Sequence, residues 1–434
     1  MRKTLPLIAS LLIGMGLVQL GNGLLTTVIS LRMGIEGFST EMAGLVMSFY
    51  FAGQMVAART IPRLIGHVGP VRVFAAATAV LAAAALSQVL IVAVASWAVL
   101  RAITGYGMAG LNMVSEAWLN TRATNDNRGQ ILALYMIMVF LATGLGQFLL
   151  IAGDPASFDL FALATILITV GLVPVALTRA PTPSFAARST LGFMQLYRLS
   201  PLGIAGVVGT GLVNSSFYGL APIFARDIGL DAIGVSSFMG VTIISGLLLQ
   251  WPVGRLSDIF DRRTVLTAVF FGVALVSAGM VLAQRTQPEW TILVACLYGG
   301  LSFTTYSLSV AHACDFIKPD DMVRATSSFV LAYGIGATVG PLVAAAAMTR
   351  AGPEGLFLYS CVINLLLAGF AVYRMTRRRA MPKAQQGAFV GLPQTASPMV
   401  EDLDPRGMRK ATASAPSPVY VGTVRREGHS LLTD

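Results

Sequence analysis

Charge is what this chain has least of. Asp, Glu, Lys and Arg make up 12% of its 434 residues, against 55% hydrophobic residues. Mean hydropathy is +0.73. A soluble fold of this size needs more charge to cover its surface, so composition excludes a water-soluble protein and implies a polytopic membrane protein. Cysteine is nearly missing too. Cys296, Cys314 and Cys361 have no metal-ligand spacing and lie in or beside apolar runs, so free thiols are expected rather than disulfides. No Walker loop, zincin motif or nucleophile elbow occurs. The glycine run Gly334–Pro341 lies in an apolar helix rather than after a strand, which suits close helix packing and a bend, not nucleotide binding. Neither an ATP-driven pump nor an enzyme has support. No catalytic residue, metal site or cofactor is expected.

What is present is a succession of apolar runs. A span needs about 20 apolar residues, and the chain up to residue 380 has room for about twelve. They fall near Leu5–Leu31, Glu41–Ile61, Val73–Val94, Trp97–Asn120, Gly129–Ala152, Phe158–Leu177, Pro201–Phe224, Val235–Val253, Thr264–Ala283, Trp290–Asp315, Val323–Met348 and Leu356–Tyr373. Thr178–Ser200 contains Pro181, Pro183, Arg188 and Arg198 and no spanning run. It reads as a linker over 179–200 between two six-span halves, 1–178 and 201–379. Ala380–Asp434 loses all spanning hydrophobicity and reads as a disordered tail. No small-residue cleavage site follows Met1-Arg-Lys3, so the first run reads as a span rather than a removed signal.

The net charge of +10 does not point to nucleic acid, because its distribution follows topology. Arg63, Arg72, Arg128, Arg255, Arg262, Arg263 and the run Arg377–Arg379 fall on one face of the bilayer, with both termini. Arg32, Arg226, Arg285 and Arg350 fall on the other. The positive-inside rule makes the first face cytoplasmic, with anionic lipid headgroups as its partner. A monomer in a bacterial inner membrane is expected.

The halves repeat. Ile13-Gly-Met-Gly-Leu-Val-Gln19 returns as Val208-Gly-Thr-Gly-Leu-Val-Asn214, Arg128 as Arg324 and Gly144 as Gly340. Such concordant registers indicate duplication of a six-span unit. Polar residues concentrate in spans 1, 4, 7 and 10 and are few in spans 3, 6, 9 and 12. A mid-span charge facing lipid costs about 2.5–3.5 kcal/mol on insertion scales. The first set should therefore line a central cavity and the second should face lipid.

Several polar residues are candidates for chemistry. Arg101 lies well inside span 4, where it can bind an anionic solute or relay protons; the alternative is an arginine reaching the outer surface. Glu116 near the end of span 4 has His312 at the repeat-related position. The two can titrate during proton coupling, or each can bond locally. Gln19, Asn22, Asn214 and Tyr218 sit near mid-depth, as solute ligands or as interhelical hydrogen bonds. Tyr135, Tyr306 and Tyr333 can stack on a flat ring or serve as packing.

Between spans 8 and 9 stands Gly254-Arg-Leu-Ser-Asp-Ile-Phe-Asp-Arg-Arg263. Its pattern G-x-L-x-D-x-x-x-R-R resembles the loop that recurs in the major facilitator superfamily of transporters. The equivalent stretch Pro62–Arg72 keeps Arg63 and Leu64 but has Gly66 at the acidic position. The resemblance therefore assigns gating to Asp258 and Arg262 in the second half. Ser115-Glu-Ala-Trp-Leu-Asn120, Arg128-Gly-Gln130, and Tyr306 with Ala311-His-Ala-Cys-Asp315 resemble the YcaD-like branch, and the likeness covers residues 1–380. Arg101-Ala-Ile-Thr-Gly105 resembles the R-x-x-x-G motif of facilitator span 4. The resemblance implies an all-α fold of twelve transmembrane helices in two pseudo-symmetric six-helix bundles, working by alternating access on a small-molecule substrate. Proton coupling would pass through Arg101, Glu116 or His312. Import of riboflavin, an activity of some relatives of this branch, is the first expectation. Drug or metabolite efflux and a non-transporting sensor or scaffold on the same fold are the alternatives.

Overall fold

The computed structural model describes residues 5–124, 127–178, 192–377, 381–383, 386–392 and 394. The middle of the expected linker (179–191) and nearly all of the expected tail (395–434) lie outside the described residues. Twelve long helices account for the expected spans and take their numbers. These are α1 Leu5–Ile35, α2 Thr40–Val68, α3 Pro70–Leu90, α4 Val94–Arg122, α5 Arg128–Ala152, α6 Asp159–Ala176, α7 Pro201–Asp227, α8 Ala232–Ile259, α9 Arg262–Thr286, α10 Pro288–Cys314, α11 Pro319–Ala351 and α12 Gly355–Arg377. A short helix, Phe193–Leu199, leads into α7.

Ten of the twelve are long and apolar enough to cross a bilayer by length and composition alone. The exceptions, α2 and α4, have 29 residues each and so have the length. What they lack is apolarity, because they carry Ser48, Arg101, Thr104, Asn112, Ser115 and Glu116. All six side chains are buried inside the protein, where lipid never meets them. At the other extreme, α6 and α9 bury only 33% and 39% of their apolar windows and turn Ile166, Leu275 and Leu282 outward. α7 and α10 bury 78% and 67%. Helices poor in polar residues face lipid, as insertion energetics require.

The bilayer supplies little hydrophobic drive between helices, so small residues set how closely they pack. α2 crosses α4 where Gly53 meets Ala102 and Gly105 meets Tyr50. A Cβ on Gly53 would lie 2.0 Å from the Ala102 carbonyl oxygen, and one on Gly105 would lie 1.9 Å from that of Tyr50. The second half repeats the crossing: α8 meets α10 where a Cβ on Gly299 would lie 2.0 Å from the Thr242 carbonyl oxygen. α1 packs on α5, and α7 on α11, in the same related way. Gly105→Val should therefore force α2 and α4 apart. Overpacking costs about 1–3 kcal/mol, read as a lower thermal midpoint in detergent. An unchanged midpoint would refute the close crossing.

The basic stretch after span 8 is not the ten-residue loop that the sequence suggests. α8 runs on to Ile259 and α9 starts at Arg262, leaving Phe260 and Asp261 as the turn. The Asp261 side chain accepts from the Arg263 amide at 3.2 Å and caps α9. Asp258 thereby lies on the last turn of α8, four residues before Arg262. In the first half the same corner is made by Gly69 at φ 88° with Pro70 opening α3, a left-handed backbone that glycine adopts freely.

The halves α1–α6 and α7–α12 meet at the face away from the basic turns. There the Ser30 hydroxyl donates to the Gly219 carbonyl at 2.6 Å, Gly44 abuts the Pro341 carbonyl, and Gly240 abuts the Phe148 ring.

Candidate functional site

Between the halves lies a cavity of about 850 Å³, counting space open to solvent. α1 contributes Gln19, Asn22, Thr26 and Thr27, and α2 contributes Met47, Tyr50 and Phe51. Arg101 comes from α4, and Phe140, Thr143 and Gln147 come from α5. The second half adds Tyr218 from α7, Met239 and Ile243 from α8, and Tyr333 from α11. Four helices of the first half thus meet three of the second, and a movement of one half against the other must reshape the cavity.

The Gly53 and Gly105 crossing builds its most charged point. It brings α2 against α4 until the Arg101 guanidinium sits 4.4 Å from the centre of the Tyr50 ring, a cation–π distance. Arg101 is 1% exposed, and its Nε and Nη1 have no hydrogen-bond partner. A buried guanidinium without a hydrogen-bonded partner is costly. The Asn22 Oδ1, from α1, is also buried and unpartnered. Two unpartnered donors and one unpartnered acceptor thus belong to residues that line one cavity. Gln147 is engaged on one side, accepting from Thr27 and donating to the Thr143 carbonyl at 3.1 Å. The walls are aromatic: Tyr218 stacks on Phe303 with centroids 5.4 Å apart and planes 18° from parallel. Tyr333 meets Tyr306 edge to face at 5.5 Å.

Of the candidates read from the sequence, Gln19, Asn22, Arg101, Tyr218 and Tyr333 line the cavity together. Tyr135, Asn214 and Tyr306 do not. The Tyr135 hydroxyl donates to Glu116 at 3.4 Å in a buried pair. Asn214 accepts from the Ser302 hydroxyl at 2.6 Å, tying α7 to α10. Tyr306 stands behind Tyr333 as its support. The expectation that spans 1, 4, 7 and 10 line the cavity needs correction: α10 supplies no lining residue, and α2, α5, α8 and α11 do. The reason is local satisfaction. Three α10 hydroxyls are bonded to neighbours, Ser302 to Asn214, Thr305 to Thr210 at 2.9 Å, and Ser307 to Gln250 at 2.7 Å. Tyr50, Thr26, Thr27, Phe51, Phe140, Thr143 and Gln147 were not singled out as site residues from the sequence. The usable signal was the polar Tyr and Gln on spans 2 and 5, close in sequence to Gly53 and Gly146.

At the basic face Arg262 gathers three chain segments. It donates to both oxygens of Asp315 at 2.9 and 2.8 Å, to Asp258 at 3.3 Å and to the Ala311 carbonyl at 3.2 Å. The Arg262 and Asp315 side chains are 1% and 3% exposed. Asp315, the last residue of the expected span 10, is thus the main partner of Arg262. Glu116 and His312 are both buried, and the His312 ring meets Phe316 edge to face at 5.2 Å. Among the described residues no three His, Cys, Asp or Glu side chains are grouped to hold a metal.

Comparison with known proteins agrees with this architecture. The family model of the Major Facilitator Superfamily matches residues 11–325. The MFS-type transporter YcaD of Escherichia fergusonii is 31% identical over 358 residues, which covers 82% of this chain and 92% of that protein. YcaD of Salmonella typhimurium gives the same figures. Among solved structures, the nucleoside transporter NupG superposes with a TM-score of 0.70 at 14% identity, covering 86% of this chain and 100% of its own. A D-xylose–proton symporter superposes with a TM-score of 0.66 at 12% identity, covering 88% of this chain and 99% of its own. At such identities the likeness is one of fold.

Proposed function

The chain belongs to the Major Facilitator Superfamily, and from that premise we propose that it carries a small organic solute across the bacterial inner membrane by alternating access. The basic face is the cytoplasmic one, with both termini on it, and residues 1–178 and 201–379 are the two units that rock about the cavity. The observation that carries this reading is Arg101, buried over Tyr50 with two donors unpartnered. A site shaped like that stabilises a solute bearing an acceptor-rich or anionic group. The unpartnered Asn22 oxygen asks the same solute for a donor. Tyr50, Tyr218 and Tyr333 offer faces to a flat ring.

Riboflavin import fits these demands, since the flavin ring is flat and carries carbonyl acceptors and an N–H donor. Coupling to protons runs through Glu116, with His312 at the repeat-related position and Arg101 in the cavity. The expected outcome is saturable uptake of radiolabelled riboflavin by a riboflavin-auxotrophic bacterium expressing the chain, abolished by a protonophore. Glu116→Gln should keep solute binding and lose the protonophore-sensitive part of the flux. No uptake by well-expressed, membrane-inserted protein would exclude the flavin and turn the search to efflux of other metabolites.

A further inference from the structure

The tail has a described portion, and it is not clear of the helices. Lys383 donates to the Ile259 carbonyl at the end of α8. The Gly387 amide donates to Asp315 Oδ1 at 3.0 Å, and its carbonyl accepts from Arg262 at 2.7 Å. The Phe389 amide donates to Asp258 Oδ1 at 2.8 Å. The Phe389 ring covers Gly254 so closely that a Cβ there would lie 2.3 Å from it. Gly391 lies against Gln250, where a Cβ on Gly391 would be 2.9 Å from the amide nitrogen. Leu392 is 5% exposed and bonds the Ser307 hydroxyl through both its amide and its carbonyl, at 3.0 Å each. Gln394 lines the same cavity as Arg101 and accepts from the Tyr333 hydroxyl at 3.4 Å.

The order of these contacts is informative. As the tail advances from 383 to 392, its partners recede from Ile259 to Gln250 along α8 and from Asp315 to Ser307 along α10. At 1.5 Å per helical residue each recession is a climb of about 12–14 Å. Five residues from 387 to 392 reach at most about 18 Å when extended. The climb from Asp315 to Ser307 thus takes about two-thirds of that reach, and the segment runs from the basic face towards the cavity. Its anchors are largely main-chain groups paired with Asp258, Arg262, Asp315 and Ser307, plus a ring seated on a glycine.

We propose that residues 386–392 and Gln394 are a tethered peptide ligand of the route between the cavity and the basic face, and that they compete with the transported solute. The site takes an extended backbone with an aromatic residue at the position of Phe389, a small one at Gly391 and an aliphatic one at Leu392. Gln394 and solute claim the same space, so the docked tail and a loaded cavity exclude one another. Docking also occupies Arg262, Asp258 and Asp315, the ion-pair cluster at the α8–α9 turn. The competition rests on the transport reading above; the docking does not.

A cysteine reporter in the cavity wall, Thr26→Cys, separates the two. In inside-out vesicles a membrane-impermeant maleimide reaches it from the basic face, with the parent chain as the blank for Cys296, Cys314 and Cys361. Labelling should be at least tenfold faster when the full-length chain also carries Phe389→Asp and Leu392→Asp. It should be as fast in a chain ending at Arg379, and a synthetic peptide of residues 381–394 should slow it again. Equal labelling with and without the tail substitutions overturns the docking. Riboflavin flux, measured in the same vesicles without the reporter, should rise severalfold when the tail is released. Faster labelling with unchanged flux overturns the competition. Absence of flux from every variant unseats the riboflavin reading, while labelling still decides the docking.

Discussion

Arg101→Gln should lower uptake at low solute concentration by about 10–100-fold and leave the protein no less stable. The two halves of that expectation have one cause. A hydrogen bond to a charged group contributes about 1.5–3 kcal/mol, and 1.4 kcal/mol is a factor of ten in affinity, so losing the guanidinium removes one to two orders of magnitude. That guanidinium is buried with Nε and Nη1 unpartnered, and its cation–π contact with Tyr50 offsets only about 0.5–2 kcal/mol. Removing it takes away a desolvated charge, so the thermal midpoint in detergent should hold or rise. Arg101→Lys should fail in transport nearly as badly, because an ammonium has neither the planar fork nor the weak hydration of guanidinium. Flux measured beside thermal midpoint for the three proteins checks this. A Gln variant that loses both flux and stability would make Arg101 a structural residue instead.

Arg262→Ala should be the most damaging single change at the basic face. Arg262 and Asp315 are paired at 2.8 Å with almost no exposure. Breaking a buried pair from one side costs about 3–5 kcal/mol, because the remaining charge is stranded. Asp258, 43% exposed on its side chain, has solvent to fall back on, and Asp258→Asn should cost well under half as much. The reciprocal swap Arg262→Asp with Asp315→Arg should recover part of the loss of either single swap. A double variant no better than the worse single one would show that position, not pairing, is what Arg262 supplies. Yields from membranes and thermal midpoints are the readouts.

Ten of the twelve helices were legible because a bilayer forces a span to announce itself as an apolar run, α2 and α4 by their length between such runs, and the repeat of Ile13–Gln19 in Val208–Asn214 reveals the duplication. Three of the four expected lipid-facing helices, α3, α6 and α9, were legible for the same reason, whereas α12 is 50% buried like α5, α8 and α11. The cavity was only half legible. Polar content of a helix says that a side chain needs a partner, not whether that partner is a solute or a neighbour. Asn214 and Gln19 look alike in the repeat, yet Asn214 is satisfied by Ser302 while Gln19 lines the cavity, with the Asn112 oxygen 3.5 Å from its amide nitrogen. Tyr50 escaped notice because its role comes from Gly53 and Gly105, which close the helix crossing from two different spans. Asp315 escaped because its partner Arg262 lies 53 residues away on another helix, a pairing that neither spacing nor the repeat reveals. The first residues of the tail escaped because main-chain groups leave no mark in a sequence.

Where the two halves touch, methionine repeatedly lies over glycine. The Met55 side chain fills the space beside Gly334, and Met47 fills that beside Gly219; the Thr338 hydroxyl lies 3.6 Å from the Met55 sulfur. A thioether has three soft torsions and little directional preference, and a glycine backbone offers it a smooth groove. Such a joint behaves as a bearing rather than a latch. Once the Ser30–Gly219 hydrogen bond opens, one half can slide past the other while dispersion contacts are remade a fraction of a turn along. The same softness makes the joint vulnerable to oxidation. A sulfoxide at Met55 would put a rigid dipole into that groove and jam the rocking motion without unfolding either half.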